Sequence, residues 1–209
     1  MTQTAASAHN VQQKPDSERA GLRKLLLSRR RQTSTAIRRQ WDDAIMQALL
    51  RWCVQERPTS LAVYWPIQAE PDLRDGYREL TAAGIQLCLP WVTGKQQPLK
   101  FLAWQEDDAM DTDEYGIPLP AQKDALIQPE AMLIPCVGFN PQGYRLGYGG
   151  GFYDRTLAGL PAAVTVGIAY AIAQAAFAAE AHDLPMQRIL TENGWLDLGT
   201  NHNISPSCS

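Results

Sequence analysis

Residues 138–155 read Gly-Phe-Asn-Pro-Gln-Gly-Tyr-Arg-Leu-Gly-Tyr-Gly-Gly-Gly-Phe-Tyr-Asp-Arg, which puts six glycines, two arginines and one aspartate within eighteen positions. Glycine gives up side-chain packing so that backbone amides can approach a ligand closely. The guanidinium forks of Arg145 and Arg155 favour phosphate or carboxylate. Asp154, two residues past the aromatic Phe152, suits a metal ion that phosphates bring with them. The plain alternative is a surface turn that caps a helix. Six glycines cost roughly 0.5–1 kcal/mol each relative to alanine in ordered structure, a collective cost that a plain turn does not require. The stretch therefore reads as a site for a nucleotide phosphate group.

Common phosphate motifs do not account for it. No glycine of the loop is followed by lysine, as the Gly-x-x-x-x-Gly-Lys-Ser/Thr loop demands. Gly147 and Gly149 supply the first two positions of Gly-x-Gly-x-x-Gly, but Phe152 occupies the third. No His-Arg-Asp or Asp-Phe-Gly partner of a kinase occurs.

The elements around the loop set its position. Ala131–Cys136 is a continuous apolar run, the pattern of a buried central strand, and it leads straight into the loop; a helix is expected from about Gly150 to Leu160. Ser60–Trp65, Ile85–Leu89 and Ala163–Ile168 read as further strands, with Leu99–Trp104, Arg188–Leu190 and Trp195–Leu198 as candidates. Ser17 can cap a first helix, on which Arg19, Arg23 and Arg30 share one face, and Ser34–Val54 continues as a second with Trp41, Ile45, Leu49 and Trp52 inward. Another helix opens at Glu70-Pro71-Asp72, and Gln174–Ala181, rich in alanine, reads as helical. Glu106–Pro120, acidic and turn-rich, reads as irregular. This alternation argues an α/β fold: one domain with an open, mostly parallel sheet flanked by helices in a Rossmann-like three-layer arrangement, plus N-terminal helices. Ligands of such sheets bind beyond the carboxyl ends of the strands, where the glycine loop begins.

Composition narrows the class. A chain of 209 residues with 45% hydrophobic content is expected to hold one globular domain over residues 17–200, between disordered polar tails 1–16 and 201–209. Net charge is −3, so no global field draws nucleic acid or a membrane. No eighteen-residue apolar run and no apolar leader appear, and the four cysteines, Cys53, Cys88, Cys136 and Cys208, are scattered; reduced thiols in a cytoplasmic protein are expected.

The segment Arg145-Leu-Gly-Tyr-Gly-Gly-Gly-Phe-Tyr-Asp154-Arg155, preceded by Pro135-Cys-Val-Gly-Phe139, resembles the signature of the 5-formyltetrahydrofolate cyclo-ligase (5,10-methenyltetrahydrofolate synthetase) family. The resemblance runs from about Arg19 to Leu198 and is weak between Lys95 and Glu130. It implies an enzyme that converts ATP and 5-formyltetrahydrofolate to ADP, phosphate and 5,10-methenyltetrahydrofolate, with Mg2+ as cofactor. Phosphorylating the formyl oxygen makes a good leaving group, and no covalent protein nucleophile is needed.

Carried over residue by residue, the resemblance assigns ATP to Arg19, Arg23 and the run Arg145, Leu146, Gly147, Tyr148, Gly149, Gly150, Gly151, Phe152 and Tyr153. It assigns folate to Trp65, Glu70, Tyr148, Gly149, Gly150, Gly151 and Phe152, and metal to Asp154 and Asp183. Arg145 and Asp154 are the catalytic candidates. Relatives often carry Lys where Arg19 stands, some carry Lys at Gly150, and many carry an acid at Gln187. Each assignment has a plainer counterpart: a solvated helix face for Arg19 and Arg23, a core role for Trp65, a helix cap for Glu70 and an Asx-turn for Asp183. Two other functions stay open. One is a non-catalytic relative that binds nucleotide or folate. The other is a nucleic-acid-binding module built on Arg29-Arg30-Arg31 and Arg38-Arg39, although no RNA or DNA motif accompanies them. The partners expected are the two substrates, with neither nucleic acid nor membrane, and the protein is expected to be a monomer.

Overall fold

A computed structural model describes residues 15–198, with side chains from residue 17. The expected tails lie outside it except for Pro15 and Asp16, which open helix α1 (Pro15–Gln32). The helix thus begins two residues before the expected Ser17 cap; proline fits a first turn because its missing N–H has no intrahelical partner there. Helix α2 (Thr35–Glu56) is capped by Ser34, whose Oγ accepts the Ile37 N–H at 3.3 Å, and ends at Arg57 in the left-handed region. Its Ile45, Leu49 and Trp52 are buried.

Regular pairing in strand β1 covers only Ser60–Ala62. The helix expected from Glu70 starts later, as a 3-10 turn at Arg74–Gly76 followed by α3 (Tyr77–Ala82). Asp72 explains the delay. Its carboxylate accepts the Arg74 N–H in an Asx-turn, and its own N–H is donated away to Asp42. Strand β2 (Gln86–Trp91) runs past Pro90 because its end pairs antiparallel with β3 (Lys100–Ala103). The stretch expected to be irregular holds a hairpin, β4 (Met110–Thr112) and β5 (Pro118–Pro120). Asp113 Oδ1 shapes its turn by accepting the N–H groups of Tyr115 and Ile117 at 2.8 and 2.9 Å.

The second half of the chain contains β6 (Ala131–Pro135), the short hairpin β7 (Gly138–Phe139) and β8 (Arg145–Leu146), helix α4 (Phe152–Gly159), then β9 (Val164–Ile168), β10 (Arg188–Thr191) and β11 (Gly194–Trp195). Seven strands join in the order β11-β10-β9-β6-β1-β2-β3. The five inner strands are parallel, and the edge strands β3 and β11 are antiparallel. Successive residues alternate between two apolar layers. Leu61, Leu87, Leu133 and Val166 pack with α2 and α3 on one face. Ala62, Cys88, Met132 and Ile134 pack with Leu157 of α4 on the other. Helices on both faces are the three-layer architecture expected.

Residues 174–181 are not helical, contrary to the expectation. They lie extended: Phe139 bridges to Gln174, the Ala175 N–H donates to Phe139 O, and Asn140 Nδ2 donates to Phe177 O. Ala175 and Phe177 then pack beside Leu22 and Leu26 of α1, while Gln174 and Ala176 face outward. Tertiary pairing and a two-residue apolar repeat outweigh the helix preference of alanine. Cys53, Cys88 and Cys136 are buried free thiols, and burial pushes them up to about 11, 12 and 12. Cys208 lies outside the described residues.

Candidate functional site

β1 leads by a crossover to β2 on one side, whereas its other neighbour β6 leads through the glycine loop and α4 to β9. The chain therefore leaves the carboxyl ends of β1 and β6 in opposite directions, which opens a crevice between them. Two segments border it: 65–73 after β1, with Trp65 and Glu70, and 136–151 after β6. Helix α1 lies across both and lends them Arg23 and Arg30, while its Arg19 meets the segment 177–183.

Within the glycine loop, Gly149 and Gly151 have φ of 96° and 63°, in the left-handed region where a side chain is strained. Gly151 is the N-cap of α4, so the free amides of that helix face the loop. Arg155 reaches back one turn and donates to Gly150 O at 2.5 Å. Its guanidinium also covers the Phe152 ring at 5.4 Å, and Tyr115 of the hairpin meets that ring edge-on. From α1, Arg23 Nε donates to Gly147 O at 2.9 Å. Gly149 passes close to the same guanidinium, where even a Cβ would lie only 3.7 Å from its central carbon.

At the α4 end, cations and carboxylates are paired. Arg145 Nη2 donates to Asp154 Oδ1 at 2.6 Å, and Nη1 donates to Leu184 O at 3.3 Å. The Tyr153 ring lies against the same guanidinium, 5.9 Å from its carbon. Arg19 Nη1 donates to Asp183 Oδ2 at 2.8 Å and lies 3.2 Å from Glu180 Oε1. Burial opposes the charge on Asp183, but the Arg19 contact and the Glu180 N–H outweigh it and hold the carboxyl below its usual range. Arg19 carries a buried Nε–H with no partner among the described residues. Such a donor set, two clustered guanidiniums beside helix amides, suits a polyphosphate.

Asp154 and Asp183 thus pair with different arginines, Arg145 and Arg19. Asp183 gathers with Glu180 and His182, whose ligand atoms lie within 4.8 Å of one another. The oxygen donors among these acids suit magnesium, which takes one or two carboxylates together with substrate phosphates.

At the other end of the loop Glu70 is 3% exposed. Its Oε2 accepts the Ile67 N–H at 2.8 Å, and its Oε1 accepts the Tyr148 hydroxyl at 2.7 Å. Burial pushes this carboxyl above its ordinary value, against the Ile67 and Tyr148 hydrogen bonds and the Arg30 charge. Gln68 and Ala69, just before it, both adopt the left-handed conformation with φ of 48° and 60°. Each such residue costs about 1–2 kcal/mol when it is not glycine. The turn that presents Glu70 is therefore strained and must be held by its surroundings.

Trp65 has a different setting. Its ring carries Arg74 at 4.9 Å on one face and meets Trp104 edge-on at 6.3 Å. It lines a cleft of 850 Å³ with Tyr77, Arg78 and Glu106, and Glu70 is outside that lining. The two folate candidates of the β1 segment consequently face different spaces.

Arg30 was not among the sequence candidates for the site. It is 3% exposed and donates through all three nitrogens, to Gln68 O, Cys136 O and the Tyr148 hydroxyl. Its place on the face shared by Arg19 and Arg23 was the available signal. Because it points inward, the Arg29-Arg30-Arg31 run presents no continuous basic surface.

Residues 15–192 match the 5-formyltetrahydrofolate cyclo-ligase family. The chain is 31% identical to the 5-formyltetrahydrofolate cyclo-ligase of Mycoplasma pneumoniae over 182 residues, covering 84% of this chain and 99% of that one. It is 28% identical to the enzyme of the same name from Haemophilus influenzae, covering 72% of this chain and 85% of the relative. Among solved structures, the 5,10-methenyltetrahydrofolate synthetase of Aquifex aeolicus superposes with a TM-score of 0.77 at 26% identity, over 90% of this chain and 96% of that one. That of Mycoplasma pneumoniae gives 0.71 at 27%, over 84% and 99%. The chain belongs to the 5-formyltetrahydrofolate cyclo-ligase family.

Proposed function

We propose that this member of the family closes 5-formyltetrahydrofolate to 5,10-methenyltetrahydrofolate at the expense of ATP, releasing ADP and phosphate. The reading rests above all on the position of the glycine loop between an arginine-rich end and a buried carboxylate. Phosphate charge belongs at the first, a donor-rich heterocycle at the second, and the formyl group between them.

The formamide oxygen is a poor leaving group because amide resonance holds it. When that oxygen attacks the γ-phosphorus, ADP departs and the oxygen becomes part of a phosphate ester. N10 then attacks the formyl carbon, the C–O bond breaks, phosphate leaves and the N10 proton is lost. The protein contributes alignment and charge. Arg145, Arg19 and Arg23 bind the phosphates, and the amides at the start of α4 add partial positive charge. Asp154 and Asp183, each now paired with an arginine that would turn to phosphate, are the carboxylates that would hold magnesium, and the ion would supply charge to neutralise phosphate oxygens. Glu70 accepts hydrogen bonds from the amino and N–H edge of the pterin, and Tyr148, which donates to the same carboxylate, borders that space; Phe152 is a further folate candidate of the loop.

Among the described residues no helix is long and apolar enough to cross a membrane. The three buried free thiols suit a cytoplasmic setting, and the reading takes the protein as a monomer whose partners are its two substrates. The inward turn of Arg30 favours the enzyme over a basic nucleic-acid module.

Mixing the protein with 5-formyltetrahydrofolate and MgATP tests the reading, because methenyl-folate absorbs in the near ultraviolet. Absorbance should rise only when both substrates are present. Binding of both without any absorbance change would instead identify a non-catalytic relative.

A further inference from the structure

The arginines of α1 divide by partner. Arg19 meets carboxylates, whereas Arg30 meets two backbone carbonyls and a phenol. A guanidinium buried without a carboxylate in direct contact carries a desolvation cost that packing alone does not require. Its three partners identify what it does. Gln68 O lies in the strained turn after β1, Cys136 O at the carboxyl end of β6, and the Tyr148 hydroxyl in the glycine loop. Residues 38, 106 and 118 positions away are thereby drawn to one planar group. Two of the three bear on Glu70: the first braces the two left-handed residues before it, and the third orients the hydroxyl that donates to its Oε1.

We infer that Arg30 is a positioning residue for the folate end of the site, holding the Glu70 turn and the glycine loop together so that the carboxylate stands ready for the pterin edge before substrate arrives. The inference rests on the folate reading of Glu70. Arg30 acts through Tyr148 and the Gln68 carbonyl rather than by touching substrate. Its positive charge also favours ionised Glu70. Tyr148, Tyr64 and Tyr153, the hydroxyls around that carboxylate, are pushed up by burial, as is the Cys136 thiol, to about 12. Tyr170, which also feels the Arg30 charge, is raised by burial too, so among these groups Glu70 is the one that changes charge between acid and neutral pH.

The test is calorimetric binding of 5-formyltetrahydrofolate without nucleotide, together with steady-state kinetics, for Arg30→Met, Arg30→Lys, Tyr148→Phe and the Arg30→Met/Tyr148→Phe double variant. Arg30→Met should weaken folate binding about tenfold or more, as loss of a hydrogen-bonded charge does, and leave the KM for ATP within about threefold of wild type. Tyr148→Phe should weaken folate binding in the same direction. The double variant should lose less than the product of the two single losses, because one contact runs through the other. The acid limb of folate affinity should move to higher pH in Arg30→Met and be restored in part by Arg30→Lys, a shift that a merely structural role would not produce.

Unchanged folate affinity in folded Arg30→Met, strictly multiplicative losses, or an equal rise in the KM for ATP would overturn the inference. If Arg30→Met does not fold, wild-type folate affinity in Tyr148→Phe overturns it instead. Wild-type protein that binds folate without turnover, in variants that lose that binding, would refute the proposed reaction and sustain Arg30. Normal turnover with folate binding untouched in every variant would do the reverse.

Discussion

The two ends of the glycine loop handle charge in opposite ways. Around α4, arginines and aspartates neutralise each other, and Asp183 is held below the ordinary carboxylate range. At Glu70 the carboxylate is buried on neutral donors, with its arginine one hydroxyl away, and its proton affinity is raised. The first end can exchange partners when an anion arrives, because Arg19 and Arg145 already face removable counter-charges. The second end is set in advance and accepts a ligand that brings donors. Exchangeable pairing suits a polyphosphate, and fixed orientation suits a rigid heterocycle.

Arg145→Ala should break the comparison most severely. Losing a preorganised donor to developing phosphate charge costs about 10²-fold or more in kcat, with the folate KM little changed; a variant as fast as wild type would remove Arg145 from the chemistry. Glu70→Ala should come next. Its effect belongs in the folate KM, about 10–100-fold for a lost charged hydrogen-bond acceptor, with the ATP KM nearly constant; equal effects on both would erase the distinction between the ends.

A smaller effect follows from pH. As pH falls below neutral, Glu70 takes up its proton before its ordinary value near 4.5, whereas Asp183 stays ionised below 3.8. Folate affinity measured without nucleotide should therefore weaken on acidification by at most about tenfold per pH unit, the limit for one proton. Affinity that is flat down to pH 4 would contradict ionised Glu70 as the acceptor.

The smallest effect concerns Asp42, which lies outside the site and anchors the segment after Glu70. Burial raises it to about 6, against hydrogen bonds from the Tyr170 hydroxyl and the Asp72 N–H. The folded chain then keeps this proton after the unfolded chain has lost it. Its contribution to stability is complete below about pH 4 and is lost as pH rises through 6. Asn keeps the accepting oxygen and does not titrate. The Tm of Asp42→Asn relative to wild type should accordingly improve between pH 4 and 7, and a constant difference would reject the raised carboxyl.

The sheet was legible in the sequence where apolar runs were long. Ala131–Cys136 and Ala163–Ile168 pair as neighbours, β6 beside β9. The glycine loop was legible because no ordinary turn needs so many glycines. Residues 174–181 were misread, since the contacts that extend them come from Phe139 and Asn140, more than thirty positions away. The hairpin at 110–120 was hidden by its polarity, because β4 is wholly exposed and carries no apolar period. Arg30 escaped for a related reason. Helical spacing placed it on the correct face of α1, but only the convergence of Gln68, Cys136 and Tyr148 shows that it turns inward. Trp65 shows the limit of a motif, for its position was anticipated but not its partnership with Arg74 and Trp104.

The sealed thiols turn the fold into its own stopwatch. A sulfhydryl near 11 or 12 supplies almost no nucleophilic anion at neutral pH, and the native packing bars a reagent as well. Alkylation of Cys53, Cys88 or Cys136 therefore records breathing events. Cys53 clocks the layer behind α2, and Cys136, whose carbonyl is clasped by Arg30, clocks the crevice itself.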